Sequence, residues 1–260
     1  MIPQPFVKGA GERVFFGPYE YPTGADLIFD FGNPTCTSEF NSNRRVYNVG
    51  SANVTASLEP YANPGLFYPV LDTAFGGTAT FLQLTGTSGS YMQWNWKSTA
   101  QQTNVVVYTP NGSQGNGEMG FPAPASPTAN SLYTKINCPS QTVYTGLFNN
   151  SSVQYDSIFG STVVLDTGSL NGRNGWNTLI FSADASNSHY QYINTNTSSF
   201  DNTTITRVDS VTQTTLFPQA TVPRNFSAGS RIMAFMQYPK ILTPKEVRQI
   251  NKVFAQRYFT

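Results

Sequence analysis

Trp94 and Trp96 are the clearest candidates for recognition chemistry in this sequence, since they lie two residues apart in the β-prone run SYMQWNWKS. Alternate residues of a strand lie on the same face, so both rings are predicted to share one face of a sheet. Exposed indole rings could stack on sugar rings, whereas buried ones would be ordinary sandwich core. We favour the buried interpretation and retain Trp94 and Trp96 as candidate ligand-binding residues.

Hydrolysis of a glycosidic bond needs two carboxyl groups that face each other across the bond. The nearest pair on one predicted strand, Asp26 and Asp30, flanks the run DLIFDF, so we expect both to be turn or edge residues. We therefore predict no catalytic residues and expect that the chain is not an enzyme. The glutamates are isolated from one another along the chain: Glu12, Glu20, Glu39, Glu59, Glu118 and Glu246.

A serine hydrolase triad would have to use His189, the only histidine, but SNSHYQY contains no nucleophile elbow. Together with Cys36 and Cys138, this histidine does not complete a four-ligand zinc site. We expect the two cysteines to be buried thiols, and a bridge between them stays open. A calcium ion also stays open, although no clustered Asp-x-Asp loop occurs. The candidate loop aspartates are Asp72, Asp166, Asp184, Asp201 and Asp209.

The segment GNGEMG places Gly115, Gly117 and Gly120 in the spacing of a dinucleotide-binding loop, after the strand-like run NVVVY. Such a loop needs a helix whose N-terminus faces the pyrophosphate. The residues that follow, FPAPASP, carry three prolines and cannot begin that helix. We therefore expect no cofactor.

The composition describes a polar surface with few charges. Hydrophobic residues make up 39% of the 260 residues, charged residues only 11%, and the net charge is +1. A protein without a strong positive field has no general attraction for nucleic acid. The first residues lack the apolar core of a signal peptide, and the sequence has no apolar run of about 18 residues that could span a membrane. We therefore expect neither nucleic acid nor a membrane as a partner.

Short β-prone runs separated by turn residues recur from Asp26 to Tyr238. Four Asn-Gly pairs supply the positive φ values of tight turns, and no helical runs alternate with the strands. An all-β, antiparallel sandwich or barrel is predicted. Residues 230 to 238 carry apolar side chains on both faces, which predicts a central strand covered on both sides. The runs are DLIFDF, ATFLQL, NVVVY, STVVLD, NTLIFSA and RIMAFMQY.

One helix is predicted, over residues 244–258, with Thr243 as N-cap, Pro244 as first helical residue and Glu246 as the capping-box partner. Its apolar residues recur three or four apart, so we expect one stripe that packs on the sandwich. The stripe consists of Val247, Ile250, Phe254 and Tyr258.

Residues 1–24 are rich in proline, glycine and aromatic residues. They cannot form a helix and are too apolar to remain solvated. We interpret them as an extended arm that lies either on its own domain or on a neighbouring subunit. Residues 25–260 then form the single sandwich domain, with its C-terminal helix.

The segment FSAGSRIMAFMQYPKILTPKEVRQINKVFAQRYF resembles the C-terminal signature of concanavalin A-like lectin/glucanase domains, including the laminin-G-like ones of phage and viral structural proteins. The first strand, DLIFDFGNPTC, resembles the opening motif of the same family through Gly32, Asn33 and Pro34. The similarity spans roughly residues 26 to 258. Its C-terminal matches are Gly229, Tyr238, Leu242, Thr243, Glu246, Arg257 and Tyr258.

This resemblance implies a concanavalin-like jelly roll and a virion structural protein: a capsid, decoration or appendage subunit located in the virion. Its partners would be other virion subunits, contacted through the arm in a homo-oligomer or capsid, and it could also bind a glycan. A carbohydrate-binding module and a divergent polysaccharide hydrolase or lyase are the alternatives. Glycosidases of this superfamily carry a Glu-x-Asp-x-x-Glu strand, and this sequence has none.

Overall fold

A computed structural model of the chain shows seventeen strands and three helices among the residues that it describes. The residues that it describes are 21–60, 70–74, 79–83, 90–96, 99, 101–109, 117–121, 123–124, 131–138, 142–149, 152–158, 177–183, 188–193, 196–201, 213–217 and 231–259. The strands are β1 Leu27–Asp30, β2 Arg45–Tyr47, β3 Thr55–Pro60, β4 Val70–Ala74, β5 Ala79–Gln83, β6 Ser90–Trp96, β7 Gln102–Thr109, β8 Gly117–Phe121, β9 Ala123–Pro124, β10 Ser131–Cys138, β11 Thr142–Asn149, β12 Ser152–Ile158, β13 Asn177–Ala183, β14 Ser188–Ile193, β15 Asn196–Asp201, β16 Gln213–Phe217 and β17 Arg231–Tyr238. The helices are α1 Pro34–Thr37, α2 Phe40–Asn43 and α3 Pro244–Phe259.

The described strands pair antiparallel in three sheets. The largest sheet has eight strands in the order β15-β14-β13-β7-β17-β5-β4, and β1 also pairs with β17. The second sheet has the order β2-β3-β6-β16-β9, and the third β12-β11-β10-β8. This architecture confirms the predicted all-β antiparallel sandwich with a C-terminal helix.

Strand β17 is central to the large sheet. Along one edge it pairs with β7, with a bulge between Ile232 and Ala234, and along the other edge it pairs first with β5 and then with β1. Every residue from Ile232 to Tyr238 is buried. The prediction of a central strand covered on both faces is therefore confirmed.

One face of the large sheet packs against the five-stranded sheet. The large sheet supplies residues of β1, β7, β13 and β17, and the smaller sheet supplies residues of β2, β3 and β6. This inner cluster includes Leu27, Phe29, Val106, Leu179, Ile232 and Phe235 from the large sheet and Val46, Ala56, Met92 and Trp94 from the smaller one.

The opposite face of the large sheet is covered by helix α3. The predicted stripe residues Val247, Ile250 and Phe254 are buried there, together with Val253, which the sequence reasoning omitted. The side chain of Tyr258 lies outside the described residues. The sheet residues beneath the helix include Ile28, Val105, Val107, Ile180, Met233, Met236 and Tyr238.

The start of helix α3 is a capping box, as predicted. The backbone N–H of Glu246 donates to Oγ1 of Thr243 over 3.3 Å, and the backbone N–H of Thr243 donates to Oε2 of Glu246 over 2.8 Å. The second carboxylate oxygen, Oε1, accepts a hydrogen bond from Nζ of Lys240. Partial burial alone would raise the pKa of Glu246, but the bonds from Lys240 and Thr243 outweigh it and hold that pKa below its ordinary value.

Glu246→Gln is expected to destabilise the protein at neutral pH, and the difference from wild type should disappear as the pH falls from about 5 to about 2. A carboxyl whose pKa is lowered by folding stabilises the folded state above its unfolded pKa and loses that effect as the pH falls through its folded pKa. Denaturant unfolding across this range is the measurement. Lys240→Gln keeps the carboxylate without its ammonium partner, so its pH dependence should be intermediate. A difference that is constant with pH would contradict the prediction.

Residues 48–52 are held along β1 by the side chain of Asn48, which the sequence analysis did not single out. Its Oδ1 accepts from the N–H of Ile28 at 2.6 Å and of Gly50 at 2.9 Å. Its Nδ2 donates to the carbonyl oxygens of Asp26 at 2.8 Å and Ala52 at 2.6 Å. Gly50 lies so close to β1 that a Cβ there would be 2.5 Å from the carbonyl oxygen of Asp26.

Asn48→Asp is expected to destabilise the protein by about 2 kcal/mol or more, because an acceptor would replace the donor that faces two carbonyl oxygens. Asn48→Ala, which loses all four bonds, should cost at least as much. The exposed Asn53 lies in the same segment, so Asn53→Asp is the matched control, with an effect within about 0.5 kcal/mol. Urea unfolding measures all three variants, and equal stability of N48D and N53D would contradict the role of Asn48.

Candidate functional site

Trp94, the first candidate from the sequence, lies inside the sandwich. It is 3% exposed, and its ring centroid is 5.1 Å from that of Phe29 and 5.6 Å from that of Phe235. Trp94 therefore has the buried position that the sequence analysis favoured, and its indole fills space between the two sheets instead of forming an exposed sugar platform. Trp96 ends the same strand, opposite Gln213 in register, and its side chain is outside those that the structure describes.

Asp30 ends β1 and begins a turn, as the sequence analysis expected, because its carbonyl oxygen accepts from the N–H of Asn33 at 2.9 Å. The sequence did not show that its side chain is fully buried. Its Oδ2 accepts from the hydroxyl of Tyr21 over 2.6 Å, and its Oδ1 accepts from the N–H of Gly32 over 2.9 Å. Two donors compensate for the lost hydration of a buried carboxylate. Asp26, in contrast, accepts from the hydroxyl of Ser51 at an exposed position. The two aspartates thus have separate structural partners.

Tyr21 and Pro22, at the end of the predicted arm, are buried. The Tyr21 ring lies 5.9 Å from that of Phe254 in helix α3. These last arm residues therefore pack on the chain's own domain. Residues 1–20, the greater part of the predicted arm, lie outside the described residues.

Cys36 is buried in α1, where its Sγ accepts from the N–H of Asp30 at 3.4 Å and donates to the carbonyl oxygen of Ile28 at 3.6 Å. The sequence motif Gly-Asn-Pro begins this helix: Oδ1 of Asn33 accepts from the N–H of Thr35 at 2.9 Å, and Pro34 is the first helical residue. Cys138 ends β10, and its side chain is outside the described set.

Those of the remaining sequence candidates that the structure describes lie in strands. His189 is in β14, opposite Phe200, and Gly117 and Gly120 are in β8, which pairs with β10. Because these two glycines belong to a strand, they do not form a phosphate-binding loop. Asp72 lies in β4 and Asp201 in β15. Gly115, Asp166, Asp184 and Asp209 fall outside the described residues.

Within the described ranges, no group of three or more histidine, cysteine, aspartate or glutamate side chains is arranged to hold a metal ion. Within the same ranges, no helix combines the length and the apolarity that a membrane-spanning helix needs.

Three primary amides lie buried on the inner face of the large sheet, beyond Phe235 and Val106. Gln102, Asn104 and Gln237 are 2%, 2% and 3% exposed, and Asn104 lies opposite Gln237 in the β7–β17 register. Nε2 of Gln102 donates to Oδ1 of Asn104 over 2.9 Å, and Oε1 of Gln102 accepts from the N–H of Thr99 over 3.3 Å. We call Gln102, Asn104 and Gln237 the amide cluster.

The sequence analysis missed the amide cluster, although QTNVVVY places Gln102 and Asn104 at alternate positions just before the buried Val106. Within the described part of the chain, Nδ2 of Asn104 and Oε1 of Gln237 have no hydrogen-bond partner. The cluster can recognise neutral donors and acceptors, and amides have no group for acid–base catalysis at ordinary pH.

A second polar group lies on the opposite face of the sheet and ties helix α3 to it. The hydroxyl of Thr103 donates to the carbonyl oxygen of Lys240 over 2.7 Å and accepts from the N–H of Leu242 over 3.3 Å. It is also 2.7 Å from Oγ of Ser182, which therefore acts as the donor to Thr103. These bonds fix the turn before the helix, so we assign this group a structural role.

Tyr238 and Tyr47 do not provide a base at neutral pH. Burial, with a smaller contribution from the nearby Glu246, raises the pKa of Tyr238 far above its ordinary value, so the phenol stays protonated. At the surface, a hydrogen bond from Tyr47 and a second from Asn43 lower the pKa of Glu39. The same bond to Glu39 raises the pKa of Tyr47. The two shifts favour an ionised Glu39 and a protonated Tyr47.

No protein-family model matches the chain, and no curated protein sequence matches it either. Solved structures do resemble it. The botulinum neurotoxin serotype D binding domain matches with a TM-score of 0.60 and 13% identity, over 89% of this chain and 51% of that one. A botulinum neurotoxin type C structure matches with a TM-score of 0.58 and 15% identity, over 90% of this chain and 51% of that one. Trypanosoma rangeli sialidase matches with a TM-score of 0.55 and 12% identity, over 92% of this chain and 34% of that one.

The chain thus spans about half the length of the neurotoxin chains that it resembles, and about a third of the sialidase chain. At identities of 12 to 15%, a structural likeness of this kind establishes a shared architecture. By its fold, the chain is an antiparallel β-sandwich similar in architecture to the neurotoxin binding domains.

Proposed function

We propose that this chain is a non-catalytic glycan-binding domain. The observation that carries the proposal is its fold likeness to structures described as binding domains, over about nine tenths of this chain. Cell entry of botulinum neurotoxin type C is described as dependent upon interaction with two ganglioside molecules, which are glycan-bearing lipids. A sandwich of this architecture is thus compatible with saccharide recognition.

The chemistry of the chain supports the same proposal. With only 11% charged residues, its polar groups are mainly the amides and hydroxyls of Asn, Gln, Ser and Thr. Neutral donors and acceptors of this kind match the hydroxyl groups of a saccharide. Stacking on aromatic rings is the usual companion of such bonds, and aromatic residues make up 14% of the sequence.

The contacts of two carboxylates, Asp30 and Glu246, support a non-catalytic role for these two residues. Asp30 is bonded to Tyr21 and Gly32. Glu246 is occupied by the capping box and Lys240. A glycosidase keeps two carboxyl groups about 5 to 10 Å apart, aimed at a substrate from either side. Asp30 and Glu246 are both engaged in structural hydrogen bonds, so they do not form such a pair.

A glycan array probed with the purified 260-residue chain tests the proposal, with sialylated and asialo forms of the same oligosaccharides side by side. We expect saturable binding to at least one glycan class, competed by the free oligosaccharide. The control for nonspecific adsorption is the same protein after unfolding in urea, with the loss of its structure verified. Absence of binding across the array at micromolar protein would refute the proposal.

The non-catalytic part is tested by incubating the chain with laminarin, agar, alginate, xylan and a sialylated oligosaccharide. We expect no release of reducing sugar or free sialic acid. Turnover that disappears when one carboxylate is replaced by its amide would overturn the non-enzyme proposal.

A second candidate is a virion structural subunit, acting as a capsid, decoration or appendage protein. The resemblance of the helix α3 segment to domains of phage and viral structural proteins supports this candidate. In that case the arm would contact neighbouring subunits, and the glycan site would serve attachment.

Deletion of residues 2–20 tests this candidate, with Tyr21 and Pro22 retained because they are part of the core. We expect a nearly unchanged melting temperature and a sharp loss of oligomers or particles, measured by light scattering and electron microscopy. A deletion that alters neither stability nor assembly would remove the support for a structural role of the arm.

A further inference from the structure

The amide cluster leaves one donor and one acceptor unused at the same place in the sandwich. Nδ2 of Asn104 and Oε1 of Gln237 belong to directly opposed residues on β7 and β17, and both side chains are at least 97% buried. Among the described residues, neither atom has a hydrogen-bond partner. Buried polar atoms in folded proteins are nearly always bonded, if not to protein then to an ordered molecule.

The geometry points to a two-point site for a hydroxyl group between Asn104 and Gln237. A hydroxyl oxygen accepts from Nδ2 of Asn104 and donates its proton to Oε1 of Gln237, so it satisfies both atoms at once. Gln102 orients the site, because its Nε2 holds Oδ1 of Asn104 at 2.9 Å and so directs Nδ2 away from itself. A cation would suit Oε1 but would be repelled by the amide N–H, so the paired donor and acceptor select a neutral O–H.

The position of the site relates it to the tryptophan of the core. Gln237 lies two residues beyond Phe235 on the same strand, and the ring of Phe235 is 5.6 Å from that of Trp94. The hydroxyl therefore binds at the end of an aromatic cluster on the inner face of the sheet. An amide pair beside aromatic rings is suited both to an ordered water and to a saccharide hydroxyl.

An ordered water and a saccharide hydroxyl offer the same O–H group to the site, so an experiment must distinguish them. Crystals of the wild-type chain, with and without soaked N-acetylneuraminic acid, would show whether an oxygen lies about 2.7 to 3.2 Å from both Nδ2 and Oε1. An isolated oxygen in both crystals identifies water. An oxygen that becomes part of the sugar in the soaked crystal identifies the saccharide hydroxyl. The site stands in either case, even if glycan binding as a whole fails on the array.

A solution measurement accompanies the crystals. In wild type we expect a cross-peak between the side-chain amide protons of Asn104 and either a long-lived water or the added sugar in NMR spectra. Gln237→Met removes one of the two contacts at nearly constant volume and should cause loss of this cross-peak. Gln93→Met, the same substitution at a half-buried position on β6, should leave it unchanged.

The proposal is overturned if Nδ2 of Asn104 and Oε1 of Gln237 are bonded directly to each other or to other protein groups, with no oxygen between them. A wild-type cross-peak that is unaltered in Q237M would overturn it as well. The crystal experiment uses the wild-type chain, so it decides the question even if the variant is unstable.

Discussion

Trp94→Ala is expected to lower the free energy of unfolding by about 3 to 5 kcal/mol, the cost of removing a large buried aromatic side chain. The indole is 3% exposed and contacts Phe29 of β1 and Phe235 of β17. Its removal would leave a cavity between the two sheets of the sandwich. Urea unfolding, followed by circular dichroism, is the measurement, because the substitution removes a fluorophore.

Trp94→Phe is the matched control, because it keeps an aromatic ring against Phe29 and Phe235. We expect it to recover a large part of the lost stability. An accessible sugar platform would behave differently: Trp94→Ala would then weaken glycan binding while the urea midpoint stayed within error. That result would contradict the buried position and restore Trp94 as a direct ligand contact.

Ile250→Ala in helix α3 is expected to cost about 2 to 5 kcal/mol, as a buried large-to-small substitution. Ile250 is fully buried among the residues that join the helix to the outer face of the large sheet. The same cluster contains Tyr21 and Ile28, so the helix also holds the first described residues in place. Loss of this side chain should therefore loosen both ends of the described chain.

Lys252→Ala is the control for Ile250→Ala, because Lys252 is exposed on the same helix. Alanine is a good helix former, so the control should change stability by no more than about 0.5 kcal/mol. Hydrogen exchange of the β1 amides should increase in the Ile250 variant and not in the control. A loss below about 1 kcal/mol for Ile250→Ala would mean that the helix is not docked through this residue.

Structural features could be predicted from the sequence where the contacts that determine them are local. Thr243 and Glu246 lie three residues apart, so the capping box that begins α3 could be recognised from residue types alone. The two-sided apolar pattern of β17 likewise predicted its central position, because a strand alternates its side chains between two faces. Asn33 and Pro34 match the resemblance motif and turn out to begin the short helix α1.

The candidate sites depended on contacts between distant parts of the chain, and the sequence could not supply them. Asp30 lies at a strand end and turn, as expected, but its burial and its bond from the hydroxyl of Tyr21, nine residues earlier, could not be read from the sequence. Asn48 bonds to Ile28 and to Asp26, more than 19 residues earlier. A residue pattern shows that a side chain is polar, but not which donor lies opposite it.

By itself, then, the sequence determined an antiparallel β domain with one capped helix, since turn residues, alternation and capping act within a few residues of each other. Only the tertiary structure decided that Trp94 is core and that Asn104 and Gln237 face each other with a donor and an acceptor unused. The physical reason is that burial and pairing depend on which strand lies beside which. In this sheet β7 and β17 are neighbours although a large part of the chain separates them in sequence.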